Sequence, residues 1–168
     1  ASIINDISAL RFDPEMIDVL KKYENVPVIL MHISGTPETM QVDPHYDDTI
    51  NDIIEFFRER ISFCLKNGIS KARIIIDPGI GFGKGHKDNL IILKKISEFS
   101  CFDIPVLIGA SRKSFISRIY KSDVSDRIEG SLAAAAIAIR NKVDFVRVHD
   151  VLEHKRFIKV MSEIGRAK

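Results

Sequence analysis

Arg147 and His149 stand two residues apart on an apolar stretch that begins at Phe145. In an extended chain that spacing sends both side chains to one face. A guanidinium and an imidazole together suit a phosphate or diphosphate. A lone core Arg or His usually satisfies a local partner, but two on an inward face favour ligand binding. Asp150 falls on the opposite face and reads as a cap or supporting partner. Ser111-Arg112-Lys113-Ser114 places two cations and two hydroxyls beside a helix start, a set fit for an anion or a polar ring. Arg112 alone reads as a solvated helix entry, whereas the Lys113 stem is long enough to cross a barrel mouth. Residues 77–85 carry glycine at four alternate positions, 79, 81, 83 and 85, which lets backbone approach a ligand closely. Their spacing is neither a dinucleotide fingerprint nor a P-loop, which would need Ser or Thr after Lys84. Asp77 leaves its strand directly, where a carboxylate can accept paired N–H donors from a heterocycle. On the loop alone, a plain turn explains the same residues equally well. Asn5 can both donate and accept, as pairing with a fused heterocycle requires. His32 reads as structural or supporting. No HxH or HxxxH spacing links the five histidines, so a protein zinc site is not indicated.

Every one of these groups sits at the end of an apolar run. Residues 2–4 lead into Asn5 and Asp6, 26–31 into His32, 73–76 into Asp77, and 105–108 into Ser111. Residues 145–148 carry Arg147 toward His149. Short apolar runs bounded by Gly, Pro and Asp predict buried parallel strands. In open α/β sheets and β/α barrels, ligands sit at the carboxyl ends of such strands. Helical spacing of Ile50, Ile53, Ile54, Phe57, Ile61, Cys64 and Leu65, closed by Gly68, predicts the clearest helix. Further helices are expected from Asp13-Pro14, over 89–99 with Asp88 as cap, after Ser114, over 130–140 and over 152–164. The pattern is β-α throughout, as in a barrel. The fold class is therefore α/β, a partial (β/α)8 barrel of about five parallel strands.

The bulk numbers agree with one globular domain. The chain has 168 residues, 45% hydrophobic and 29% charged, with a formal net charge of +2. No block of like charge marks a nucleic-acid surface, and no apolar stretch reaches the ~20 residues of a membrane span. Cys64 and Cys101 belong to no metal or redox pattern, which suits reduced thiols in a cytoplasmic protein.

Read together, the motifs resemble dihydropteroate synthase. They are Ile4-Asn5-Asp6-Ile7-Ser8, Leu30-Met31-His32 with Gly35-Thr36-Pro37, and Asp77-Pro78-Gly79-Ile80-Gly81-Phe82-Gly83-Lys84. They continue with Gly109-Ala110-Ser111-Arg112-Lys113-Ser114-Phe115, Arg127 with Gly130-Ser131-Leu132-Ala133-Ala134, and Arg147-Val148-His149-Asp150-Val151. All stand in family order over essentially the whole chain. The resemblance implies a folate-biosynthesis transferase joining 6-hydroxymethyl-7,8-dihydropterin diphosphate to 4-aminobenzoate. It implies pterin contacts from Asn5 and Asp77 and a substrate contact from Gly81, with Lys113 reaching the pterin and the aminobenzoate region. Ser111 would lie near the aminobenzoate, Phe82 would help enclose it, and Arg147 and His149 would hold the diphosphate. Lys113, Arg147 and His149 would be the catalytic set. The family also implies Mg²⁺, with its ligand outside these residues, and a homodimer through late helices.

Against the family pattern the chain starts at about the fourth barrel strand. Residues 1–168 are thus expected to be one pterin-binding domain without the first three β-α units, and inactive alone. Two other readings compete: a pterin-dependent methyltransferase domain, and a non-catalytic module that binds pterin or phosphate. The methyltransferases look less similar through 111–115 and 147–151.

Overall fold

The computed structural model describes residues 1–167, in which five parallel strands alternate with helices. β1 (Ile4–Asp6), β2 (Val28–Met31) and β3 (Ile74–Asp77) pair in that order, and β4 (Leu107–Ile108) pairs with β5 (Phe145–Val146). A parallel bridge between Ile76 and Val106 joins the two groups, and the Ile76 N–H donates to the Pro105 carbonyl at 3.0 Å. The strands therefore follow chain order, as in the wall of a β/α barrel. β2 and β3 are buried along their whole length, while β1 and β5, at the two edges, are only partly covered.

The ladders are shorter than the apolar runs, for reasons visible in the side chains. Arg73 belongs to a 3₁₀ turn (Lys71–Arg73), and its guanidinium reaches back to the carbonyls of Leu20, Tyr23 and Val26. β5 stops at Val146, although the Arg147 N–H still donates to the Ile108 carbonyl at 2.8 Å.

Six helices cover the outer side: α1 (Met16–Lys22), α2 (Thr49–Lys66), α3 (His86–Lys94), α4 (Ser114–Ser117), α5 (Ile128–Arg140) and α6 (Val151–Arg166). α2 forms because Asp48 accepts the Ile50 and Asn51 N–H groups and a stripe from Ile50 to Cys64 is buried. Leu65, expected on that stripe, faces solvent instead. Asn67 and then Gly68, at φ +83°, end the helix. α3 starts at His86, not after Asp88. Asp88 sits inside the first turn and accepts the Gly85 N–H at 3.0 Å. α1 begins at Met16, and Asp13 accepts the Glu15 N–H just before it.

Strand alternation separates two apolar layers. Val28, Leu30, Ile74, Ile76, Val106 and Ile108 join the main core under the helices. Ile29, Ile75 and Leu107 form a second, smaller cluster on the inner face. Two residues beyond each of these, on the same face, come Met31, Asp77 and Gly109. The inner aliphatic layer is therefore a floor beneath the strand ends.

The turn after β1 is held from outside. Ala9 and Leu10 adopt φ +53° and +64°, values that cost energy in non-glycine residues. Buried Arg60 donates to both their carbonyls, at 2.8 and 3.3 Å, while Asp6 accepts the Ser8 and Leu10 N–H groups. Arg60→Ala is expected to lower stability by about 2–3 kcal/mol in urea denaturation, the scale for losing bonds to a charged group.

Candidate functional site

The strand ends open on a cavity of about 310 Å³ whose lining includes Asn5, Met31, Phe82, Lys113, Arg147 and His149. Asp77 has no exposed surface and joins the cavity through its bond to the lining residue Arg147. One Asp77 carboxylate oxygen accepts the Gly79 N–H at 2.8 Å, and the other accepts Arg147 Nη2 at 2.8 Å. Burial pushes the Asp77 carboxyl above the usual range, and the Arg147 guanidinium opposes that shift. Arg147 Nη1 donates to Asn5 Oδ1 at 3.1 Å. The guanidinium thus spans from β5 to β3 and β1. It does so by lying across Gly109, where an added Cβ would come 2.8 Å from Nη2. Arg147, expected with His149 in an anion pocket apart from Asn5 and Asp77, rests its head group on those two instead.

The two basic loops are locked to each other. Ser111 Oγ accepts the His149 N–H at 3.2 Å and lies 3.1 Å from His149 Nδ1. Ser111 therefore lines the cavity while its hydroxyl is engaged by His149. Arg112 is not a solvated helix entry. It forms a two-pronged ion pair with Asp150, one prong at 3.0 Å, which lowers the Asp150 carboxyl pKa and raises that of the guanidinium. Arg112 adopts φ +57°, with its N–H bound to Ser131 Oγ and its carbonyl to Arg127. Asp150 is thus a supporting partner, set at the start of α6.

Lys113 extends toward the glycine-rich loop, its Nζ 4.1 Å from the Phe82 ring centroid. Burial, then the nearby Arg147 charge, lowers its pKa. Gly81 faces this stem, since a Cβ there would sit 3.4 Å from Lys113 Cδ. The other glycines serve packing. At φ +71° and +66°, Gly79 and Gly83 lay the loop directly on the His32 and Ser34 backbone, where a Cβ would collide with carbonyl oxygens.

Beneath the loop lies a residue the sequence reading passed over. Lys84 is 4% exposed, and its Nζ lies 2.8 Å from His32 Nδ1, 2.9 Å from the Phe82 carbonyl and 3.3 Å from the His32 carbonyl. Burial pushes the Lys84 ammonium pKa down to about 7, and burial beside Lys84 holds His32 well below the ordinary imidazole value. Met31 and Ile7 were also missed. Their signal was register, since Met31 pairs with Asp77 across the ladder.

A Mg²⁺ ion needs several oxygen ligands in near-octahedral array. Among the described residues no group of three or more His, Cys, Asp or Glu could hold a metal. The Asp77 carboxylate is engaged by Arg147 and Gly79. These donors do not fit the ion. No described helix is long and apolar enough to cross a membrane.

Known proteins resemble the chain in sequence and fold. Dihydropteroate synthase of Escherichia coli (strain K12) is 40% identical over 168 residues, covering 100% of this chain and 59% of the relative. The structure of Yersinia pestis dihydropteroate synthase in a sulfonamide drug complex superposes with a TM-score of 0.95 at 38% identity, covering 100% of this chain and 61% of that one. A Xanthomonas albilineans dihydropteroate synthase in complex with 7,8-dihydropteroate gives a TM-score of 0.91 at 35% identity, covering 100% and 61%. The chain thus spans about three fifths of the length of these relatives. The family model described as pterin binding enzyme matches residues 1–149, the segment that carries every cavity residue named above, and the chain belongs to that family.

Proposed function

We propose that this chain carries the pterin- and diphosphate-binding part of a dihydropteroate synthase of folate biosynthesis. That transferase condenses 6-hydroxymethyl-7,8-dihydropterin diphosphate with 4-aminobenzoate, giving 7,8-dihydropteroate and diphosphate. One observation carries the reading: a fully buried carboxylate, Asp77, shares the inner face with Asn5 and pairs with Arg147, which lines one cavity together with His149 and Lys113. A neutral heterocycle with N–H donors matches Asp77 and Asn5, and an anionic leaving group matches the cations.

In the proposed reaction the bond from the pterin methylene to the diphosphate oxygen breaks, and the electron pair leaves with diphosphate. The aminobenzoate nitrogen forms the new C–N bond and loses a proton. Asp77 and Asn5 hold the ring. Arg147 and His149 stabilise the charge that develops on the departing diphosphate. Lys113 spans the pterin and aminobenzoate regions, with Gly81 and Ser111 beside it, and Phe82 covers the second substrate. No protein nucleophile is required. The Mg²⁺ associated with this reading would draw its ligands from elsewhere.

We treat residues 1–168 as one pterin-binding domain of a cytoplasmic homodimer, Lys168 lying outside the described residues. Support for self-association is an apolar groove between α3, α4 and α5, where Leu90, Ile119, Tyr120 and Ile137 are exposed. Calorimetric titration with 6-hydroxymethylpterin and, separately, inorganic diphosphate tests the function. Saturable binding of each is expected, and a chain that ignores the pterin would overturn the reading.

A further inference from the structure

The Lys84 side chain passes under the glycine-rich loop and ends among three acceptors: His32 Nδ1, the His32 carbonyl and the Phe82 carbonyl. An ammonium has three protons, so each acceptor can take one. Burial alone would favour an aliphatic residue at this depth, because a buried charge is costly unless fully paired. The match between three donors and three acceptors is what a lysine adds. What it ties is specific. One acceptor is the carbonyl of Phe82, whose ring meets Lys113, and the other two belong to the residue that follows β2. Other anchors hold the loop elsewhere, as Asp77 accepts the Gly79 N–H, Gln41 donates to the Gly81 carbonyl, Tyr46 to the Gly83 carbonyl, and the Gly81 N–H to Asn89. Lys84 alone among these reaches Phe82 from inside.

We propose that Lys84 is a positioning residue of the cavity: by bonding the Phe82 carbonyl and His32 together, it buckles the glycine-rich loop onto the end of β2 and sets Phe82 against Lys113. This rests on the pterin reading for its consequence in binding, but the buckle itself is a property of the chain alone. The charged groups around it are Asp77 on β3 and Asp88 on α3, which favour the ammonium, and Lys113, which opposes it. Arg11 acts on His32 from the β1 side.

The test is spectroscopic first. The Lys113 side-chain protons lie close to the Phe82 ring, so they are expected to be shifted by its ring current in the parent chain and in Lys84→Arg. In Lys84→Met they should return to values typical of a free lysine, while melting moves by no more than a few degrees and 6-hydroxymethylpterin binds at least tenfold more weakly. Unchanged Lys113 shifts in a folded Lys84→Met variant would overturn the proposal. Should that variant fail to fold, the ¹⁵N-histidine spectrum of the parent chain decides. His32 Nδ1 must be the bonded nitrogen and must respond when Lys84 titrates. A His32 that titrates as an ordinary free imidazole overturns the buckle. If the parent chain binds no pterin while the Lys113 shifts still collapse in Lys84→Met, the buckle stands and the pterin reading fails.

Discussion

Asp77→Asn is expected to weaken 6-hydroxymethylpterin binding by about 100-fold or more without destabilising the protein. The magnitude follows from losing charge-assisted bonds to the ring, each worth about 1.5–3 kcal/mol, with 1.4 kcal/mol per factor of ten. Preserved stability follows from burial. Asp77 is fully enclosed, and its carboxyl lies above the usual range because desolvation penalises the charged form. For an acid whose folded pKa is raised, the stabilising contribution is complete below the unfolded value and is lost as pH rises through the folded one. Asparagine carries no such loss. Thermal denaturation at pH 4 and pH 7 should therefore show the variant holding its stability at pH 7 better than the parent, while calorimetry shows it binding pterin poorly. A variant that binds pterin as the parent does would remove Asp77 from the site.

Arg147→Ala should fail in the opposite way, losing both stability and anion affinity. Arg147 supplies the main electrostatic compensation for Asp77, so its removal drives the Asp77 carboxyl further upward. Breaking a fully buried pair costs ~3–5 kcal/mol. The Arg147 side chain is 43% exposed, so solvent screening cuts this to about 1–2 kcal/mol. By the same sign argument the loss should grow as pH rises from about 4 to 7, which urea denaturation at the two pH values will show. Inorganic diphosphate should bind at least ~10-fold more weakly, the value of one charged hydrogen bond. The double variant Asp77→Asn, Arg147→Ala should regain most of the stability and none of the binding. Strict additivity of the two single changes would mean that the pair is not coupled.

Strand ends were legible in the sequence because β-branched runs broken by Gly, Pro and Asp leave few alternatives, and period-two spacing placed Arg147 correctly on the inner face. Asn5 and Asp77 drew notice as polar groups at the ends of such runs. Three features were not legible. The descent of the Arg147 guanidinium onto Asp77 depends on room above Gly109, a contact between strands far apart in sequence. Arg112 looked like a surface cation because its left-handed backbone, held by Ser131 and Arg127, aims it at Asp150, which no local pattern encodes. Lys84 gave no local signal of burial, since a lysine after a glycine run is normally solvated. Only the collapse of Gly79 and Gly83 onto the backbone of residues 32–34 buries it. Helix starts at α1 and α3 moved by a few residues because Asp13 and Asp88 bond backbone N–H groups from other positions than the cap itself.

The guanidinium of Arg147 offers two N–H groups to Asp77 and Asn5, and the amino-pyrimidinone edge of a pterin would offer the same kind of donor to the same oxygens. The guanidinium is thus an imitation of the ring proposed for the cavity. A pterin arriving there exchanges partners with the arginine, so its bonds to Asp77 and Asn5 must exceed those the guanidinium gives up. Discrimination among ligands then falls to whatever the displaced guanidinium can grasp next. A bare ring leaves it in water, while a ring that carries its own phosphates gives it a second partner.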